Sequence, residues 1–144
     1  MSTRGRIGIQ NKLGEIASIY VHHDSYPDGV GKRLVNYYKD KDKIMKLMEL
    51  GDISSLGTEP VENKNAWKSL KGGWTFDEWK KMNPDNKCNT YKTRGEDVPA
   101  SIVKTVEEYI KQGDACWAEY LYLFKDKEWY VYDEGEWKLV KDLI

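Results

Sequence analysis

The chain has 144 residues, 33% of them charged and 40% hydrophobic, and a formal net charge of −1. This size and balance are typical of a single globular domain, residues 1–144, that buries a core of its own. The near-zero net charge disfavours DNA or RNA as a partner, because nucleic-acid affinity depends largely on a basic excess. A small anionic nucleotide needs only one or two arginines in a pocket, so that class of ligand stays open.

Targeting and cysteine patterns point to an intracellular protein without a cofactor. No apolar run approaches the roughly 20 residues that span a bilayer, and the opening residues MSTRGRIGIQ lack the features of a signal peptide. We therefore expect no membrane association. Cys88 and Cys116 suit neither a disulfide framework nor a paired-thiol zinc site, and both are expected to be reduced.

The first predicted elements form a hairpin and a sharp corner. Residues 4–10 and 15–22 alternate apolar and polar side chains around a turn at Asn11 and Gly14, which predicts an antiparallel β-hairpin. The breaker cluster DSYPDGVG, residues 24–31, follows directly. Helical spacing then predicts helices over 30–39 and 42–50, the second with Asp42 as N-cap and Gly51 as its stop.

Residues 52–96 are mostly polar and irregular, apart from one local signal. Thr75 and Glu78 are spaced as a capping box, with Trp74 and Trp79 at the two hydrophobic staple positions. This predicts a short helix over 76–82 that ends before Asn83-Pro84. A polar loop of this length is usually functional when it is ordered.

The last third predicts one helix and a meander of strands. Apolar residues with a helical period run over 99–112, with Pro99 in the first turn and Gly113 just past the end. The runs AEYLYLF, EWYVY and EWKLV then read as two or three antiparallel strands. The order of elements predicts an α+β domain with a mainly antiparallel sheet, built from the hairpin and the meander, and about three principal helices.

Sequence signatures of catalysis and metal binding are weak. Gly31-Lys32 resembles part of a phosphate loop. However, Tyr26 occupies the position where that loop needs Gly, and Arg33 occupies the position where it needs Ser or Thr. His22 and His23 are expected on opposite faces of a strand, which disfavours a shared metal ion. No nucleophile elbow is present, so we assign no catalytic residue and no metal ligand.

Candidate ligand-binding residues come from the corner and from the loop. Arg33 follows the glycine-rich corner, where a helix N-terminus favours an anion. Arg94 has Tyr91 and Gly95 as neighbours, which supply an aromatic face and an adaptable backbone. We predict that these two arginines bind phosphates. The other four candidates supply stacking (Tyr91 and Trp74) or hydrogen bonds to a base or ribose (Asn89 and Asp24).

The N-terminal segment resembles a widespread family of small bacteriophage proteins. Its pattern, IGI-x-N-x-x-G-x-I-x-SIY-x-H-x-D-x-YP-x-x-VG-x-x-L, begins here at Ile7 and ends at Leu34. The later GDISSLG and AEYLYLF…WYVY segments extend the likeness over most of the chain, with residues 60–80 least alike. Ser25 departs from the pattern, since glycine is frequent at that position.

This pattern resembles the first type of Thoeris anti-defence protein. The resemblance implies a phage-encoded sponge in the host bacterial cytoplasm that sequesters cyclic ADP-ribose isomers made by TIR-domain enzymes, and in some members cyclic oligonucleotides, without cleaving them. It also implies a homo-oligomer, a dimer or an assembly of dimers. Two alternatives stay open: an enzyme acting on such a nucleotide with His22 or Asp24 as base, and an inhibitor that binds a host protein through the Trp-rich loop.

Overall fold

The computed structural model describes residues 2–64 and 75–144, apart from the side chain of Arg94. In this part of the chain, eight strands form one sheet and four α-helices accompany it. The strands are β1 Gly5–Gln10, β2 Ile16–Val21, β3 Ile53–Ser55, β4 Asn89–Thr90, β5 Ser101–Val103, β6 Tyr120–Lys125, β7 Glu128–Asp133 and β8 Glu136–Leu139. The helices are α1 Lys32–Tyr37, α2 Lys41–Glu49, α3 Phe76–Met82 and α4 Val106–Ala115.

The sheet is mixed, although most of its pairs are antiparallel. The strand order is β4-β3-β2-β1-β6-β7-β8, and β5 pairs with the first half of β2. The predicted hairpin and meander are confirmed as β1–β2 and β6–β7–β8. The two units join through parallel pairing of β1 with β6, and β2 also pairs in parallel with β3. The α+β prediction therefore holds, with a mixed sheet and one more helix than the three principal ones.

The helix predicted over 99–112 is wrong in its first half. Residues 101–103 form strand β5, and the helix begins only at Val106. Thr105 is the N-cap, because its Oγ1 accepts a hydrogen bond from the Glu108 N–H at 3.1 Å. Gly113 lies inside α4 rather than beyond it. A Cβ at Gly113 would come within 2.5 Å of the Leu121 side chain, so glycine lets the helix approach the sheet.

The other helix boundaries differ by a few residues from the predictions. The first helical segment starts earlier, with a π-helical turn over Pro27–Gly31 that continues into α1. Asp40, not Asp42, caps α2, since its Oδ1 accepts from the Lys43 N–H at 2.8 Å. Gly51 ends this helix as predicted, with φ of +73°.

The predicted capping box of α3 is confirmed. Thr75 Oγ1 accepts from the Glu78 N–H at 3.2 Å and donates to Glu78 Oε1 at 3.0 Å. The staple partner Trp74 lies outside the described residues. No residue of α3 is buried, so this helix is stabilised by its cap and its end contacts more than by a core face.

The two faces of the sheet carry different cores. Alternate residues of β1 and β2, including Ile7, Ile19 and Val21, pack with α1 and α2 in the main core. On the other face, Tyr109 of α4 packs with Ile16 and with neighbouring leucines of β6. Among the described residues, no helix has both the length and the apolar character needed to cross a bilayer.

Candidate functional site

A cleft of about 610 Å³ lies beside the helical corner of the main-core face. One wall is formed by residues 23–37, which run from the end of β2 into α1, and the other by residues 79–89, which run from α3 towards β4. Ser55 and Leu56 lie between them. This volume is in the range that encloses a small organic ligand.

Backbone geometry fixes the first wall. Asp24 has φ of +59°, which turns the chain sharply after β2. Its carbonyl oxygen accepts a hydrogen bond from the Val30 N–H at 2.8 Å. A Cβ at Gly29 would overlap that carbonyl, so a side chain there would displace the turn. Asp24 and Gly29 of the breaker cluster therefore shape the wall of the cleft.

A buried tyrosine joins the corner to the sheet. Tyr122 Oη donates to the Ser25 carbonyl at 2.6 Å. Burial raises the pKa of Tyr122 far above its ordinary value of 10.0, so the hydroxyl stays protonated and can donate at any pH at which proteins are stable. The start of the corner is thus attached to β6.

Arg33 crosses from the first wall to the second. Its Nη1 donates to the Leu56 carbonyl at 2.6 Å and to the Asp85 carbonyl at 3.3 Å. Its Nε and Nη2 have no hydrogen-bond partner among the described residues. Arg33 therefore fixes the width of the cleft with one nitrogen while the rest of its guanidinium remains open to a ligand.

The second wall is held by close backbone packing and an amide network. Gly57 leaves no room for a Cβ against the Lys87 backbone. Asn63 Nδ2 donates to the side-chain oxygens of Asn83, at 3.3 Å, and Asn89, at 3.0 Å. Asn89 Nδ2 also donates to Asn83 Oδ1 at 3.3 Å. These contacts fix the orientation of Asn89 at the cleft.

The cleft is lined by charges of both signs and by three aromatic side chains. Its cations are Lys32, Arg33, Lys80 and Lys87, and its carboxylates are Asp24, Asp28 and Asp85. None of the four cations forms an ion pair with a described carboxylate. Tyr26, Tyr37 and Trp79 are 42%, 48% and 44% exposed. Aromatic faces left this open are available for stacking.

Three of the six predicted ligand residues meet in this cleft. Asp24, Arg33 and Asn89 line it. Tyr91 does not line it, and its N–H instead donates to the Asp52 carbonyl at 3.3 Å. Trp74 and the Arg94 side chain lie outside the described part of the chain, so the roles predicted for them stay predictions.

The helix terminus contributes less to anion binding than the sequence suggested. The N–H groups of Gly29 and Val30 already donate to Tyr26 O and Asp24 O. An anion near Arg33 would therefore be bound by side chains.

Several residues that line the cleft were not selected from the sequence, including Trp79, Lys80, Lys87, Tyr26 and Tyr37. For Trp79, the capping box before it was the available signal.

The two histidines are closer together than strand alternation predicts. β2 ends at Val21, and the rings of His22 and His23 lie edge to face with centroids 4.6 Å apart. Each ring has its own partner, since His22 Nδ1 lies 2.7 Å from Tyr20 Oη and His23 Nδ1 lies 2.9 Å from Ser2 Oγ. Within residues 2–64 and 75–144, no group of three or more His, Cys, Asp or Glu side chains is arranged to hold a metal ion.

Comparison with known proteins adds no relative. No protein-family model matches the chain, and neither a curated protein nor a solved structure matches it. The geometry of the cleft is therefore the basis for a functional proposal.

Proposed function

We propose that this chain binds a small cyclic nucleotide in the cleft and sequesters it without cleaving it. The observation that carries the proposal is the meeting of cations without described ion-pair partners, half-exposed aromatic faces and fixed amides in one cleft of about 610 Å³. A cyclic ADP-ribose isomer, the ligand implied by the resemblance, presents matching chemistry: two linked phosphates, two riboses and a flat base.

The charged side chains suit a compact anion better than a polyanion. Lys32, Lys80 and Lys87 are exposed at the rim, and the open nitrogens of Arg33 lie between the walls. Three carboxylates in the same cleft repel a long polyanion but leave positions for ribose hydroxyls, which donate to carboxylates. Asp24 is the carboxylate at the turn and also accepts from Tyr26 Oη at 3.4 Å.

The aromatic residues supply the stacking that a base requires. Trp79 stacks on Phe76 with ring centroids 6.4 Å apart and planes 11° from parallel. Because α3 has no buried residue, a base stacked on Trp79 would add apolar burial that the helix otherwise lacks. Stacking on an aromatic side chain is worth about 1–3 kcal/mol per base.

An enzyme acting on the same ligand is the second candidate. His23 and Asp24 are adjacent on the cleft wall, and Asp24 has the left-handed backbone conformation that is enriched at functional sites. Either group is placed to act as a base. The two candidates share a ligand and differ in what happens to it.

One experiment separates these functions. The protein is incubated with cyclic ADP-ribose made by a TIR-domain enzyme, passed through a desalting column and then heated. Intact nucleotide released from the denatured protein is the expected result. Altered nucleotide would support the enzyme. Failure to retain any nucleotide would overturn both and favour an inhibitor that binds a host protein. Trp79→Ala is expected to lose retention, whereas Trp117→Ala, an equally large change at a residue outside the cleft, is the matched control.

A further inference from the structure

A second cationic site lies on the opposite face of the sheet, beneath α4. Arg6 is buried, with 7% of its surface exposed. Its Nε donates to Ser18 Oγ at 3.1 Å, and its Nη2 donates to Ser18 Oγ at 2.9 Å and to Ser101 Oγ at 3.2 Å. These contacts join β1, β2 and β5 at one point. All of its partners are neutral oxygens.

No described carboxylate forms an ion pair with Arg6. A buried charge without a counter-ion is strongly unfavourable, and buried arginines are normally paired. Asp52 interacts with Arg6 only through its charge: burial raises the pKa of Asp52, while its hydrogen bond from the Tyr20 N–H and the charge of Arg6 oppose this rise. Asp52 therefore offsets the Arg6 charge only from a distance.

Donors outnumber acceptors around the guanidinium. Arg6 Nη1 has no hydrogen-bond partner in the described part of the chain, where no fully buried side-chain nitrogen or oxygen is left unpaired, so Nη1 retains some accessible surface. Ser101 Oγ accepts from both Arg6 Nη2 and Gln112 Nε2. Its own hydrogen is therefore directed to no described acceptor. A set of unused donors around a cation is complementary to an oxyanion.

A second arginine extends the positive charge. Arg4 directly precedes β1, and alternate residues of an extended chain lie on the same face. Burial raises the pKa of Tyr20, and the charge of Arg4 opposes this rise. Burial lowers the pKa of His22, and the charge of Arg4 lowers it further. Since Arg6 lies opposite Tyr20 in the β1–β2 pairing, both arginines border the same patch. The Arg4 side chain has no ion pair or hydrogen bond to a described residue.

We infer that Arg4, Arg6 and Ser101 form a binding site for a small oxyanion, either free phosphate or the phosphate group of a larger ligand. The anion would accept hydrogen bonds from Arg6 Nη1, the Ser101 hydroxyl and Arg4, and would neutralise a charge that the fold leaves uncompensated. This site is separated from the cleft by the sheet itself, so it does not depend on the function proposed for the cleft.

The test uses inorganic phosphate and charge variants of opposite sign. Phosphate binding to the full chain is measured by calorimetry and by thermal unfolding, against sodium chloride at equal ionic strength. Wild type is expected to bind saturably. Arg4→Gln is expected to weaken binding about tenfold or more, the usual effect of losing a charge-assisted hydrogen bond. Asp52→Asn is expected to strengthen it, because the Asn oxygen can still accept from the Tyr20 N–H while the nearby negative charge is removed.

Two controls define the location and the source of the anion. Lys12→Gln, at an exposed turn, is expected to leave phosphate affinity unchanged. Arg33→Gln removes the cleft arginine, and loss of phosphate binding in this variant with retention in Arg4→Gln would overturn the inference. Equal stabilisation by phosphate and chloride would also overturn it. Adenosine 5′-monophosphate distinguishes the sources: equal affinity indicates a free ion, and tighter binding indicates the phosphate of a larger ligand.

Discussion

The hydroxyl of Tyr122 provides a sharp test of how the corner is held. Tyr122→Phe removes one oxygen and leaves the Ser25 carbonyl without this partner in a buried location. An unsatisfied buried polar group costs about 1–3 kcal/mol, so this change is expected to lower the free energy of unfolding by about that amount. For a domain of this size, that is a large share of the total stability.

The matched control is Tyr109→Phe. Tyr109 is also fully buried, and its hydroxyl also makes one hydrogen bond, to the Tyr122 carbonyl at 2.8 Å. We expect a similar cost of about 1–3 kcal/mol for this change. Urea denaturation measures both, with an unchanged m value showing that the midpoint shift reports stability. If Tyr109→Phe lowers the free energy of unfolding and Tyr122→Phe leaves it unchanged, the anchoring of the corner by Tyr122 is refuted.

Three further predictions concern the second wall, the pH dependence and the assembly. Gly57→Ala is expected to weaken both stability and ligand binding, since the added Cβ would overlap the Lys87 backbone. The control is Gly135→Ala, where φ is +82° and no neighbour lies within 4 Å, so this change measures the cost of backbone strain alone, about 1–2 kcal/mol. An equal loss of stability in both variants would contradict the packing argument. Burial, His23 and Arg4 lower the pKa of His22 below its ordinary value of 6.5, so the folded state prefers the neutral ring. The stability that this residue contributes is therefore lost as pH falls through 6.5 towards the folded-state pKa. The difference in unfolding free energy between wild type and His22→Gln is expected to shrink over that pH window, and a constant difference would contradict this prediction. Light scattering is expected to give a multiple of the 16.8 kDa chain mass, and a monomer at micromolar concentration would refute the predicted homo-oligomer.

Local signals in the sequence predicted the elements that are fixed by their own residues. The β1–β2 hairpin follows from alternation and from the turn at Asn11, whose Oδ1 accepts from the N–H groups of Leu13 and Glu15. The capping box of α3 is likewise complete within four residues. Where one short segment satisfies its own hydrogen bonds, sequence reasoning is sufficient.

Non-local pairing explains what the sequence did not predict. Residues 101–103 are apolar and polar in an order compatible with a helix, but they pair with Ile16–Ser18, about 85 residues earlier in the chain. The parallel contact of β1 with β6 also joins distant segments. The cleft has the same character, since its two walls are distant in sequence and are linked by contacts such as those of Arg33 with the Leu56 and Asp85 carbonyls.

Site prediction was limited by what a side chain contacts in three dimensions. Asp24, Arg33 and Asn89 were selected for their chemistry, and all three line the cleft. Tyr91 was selected with equal reason and lies elsewhere, because the chain turns after β4. Arg6 was not selected at all, since a single Arg in an alternating strand is indistinguishable from a surface residue until its burial is known.

The most direct measurement of the central claim is calorimetric titration of cyclic ADP-ribose into wild type, Trp79→Ala and Trp117→Ala. We predict saturable binding to wild type and Trp117→Ala, and a loss of about 1–3 kcal/mol, roughly 5- to 150-fold in affinity, for Trp79→Ala, because the base loses its stacking surface. Equal affinity of all three folded proteins, or no binding to wild type, would contradict the claim that this cleft holds the nucleotide.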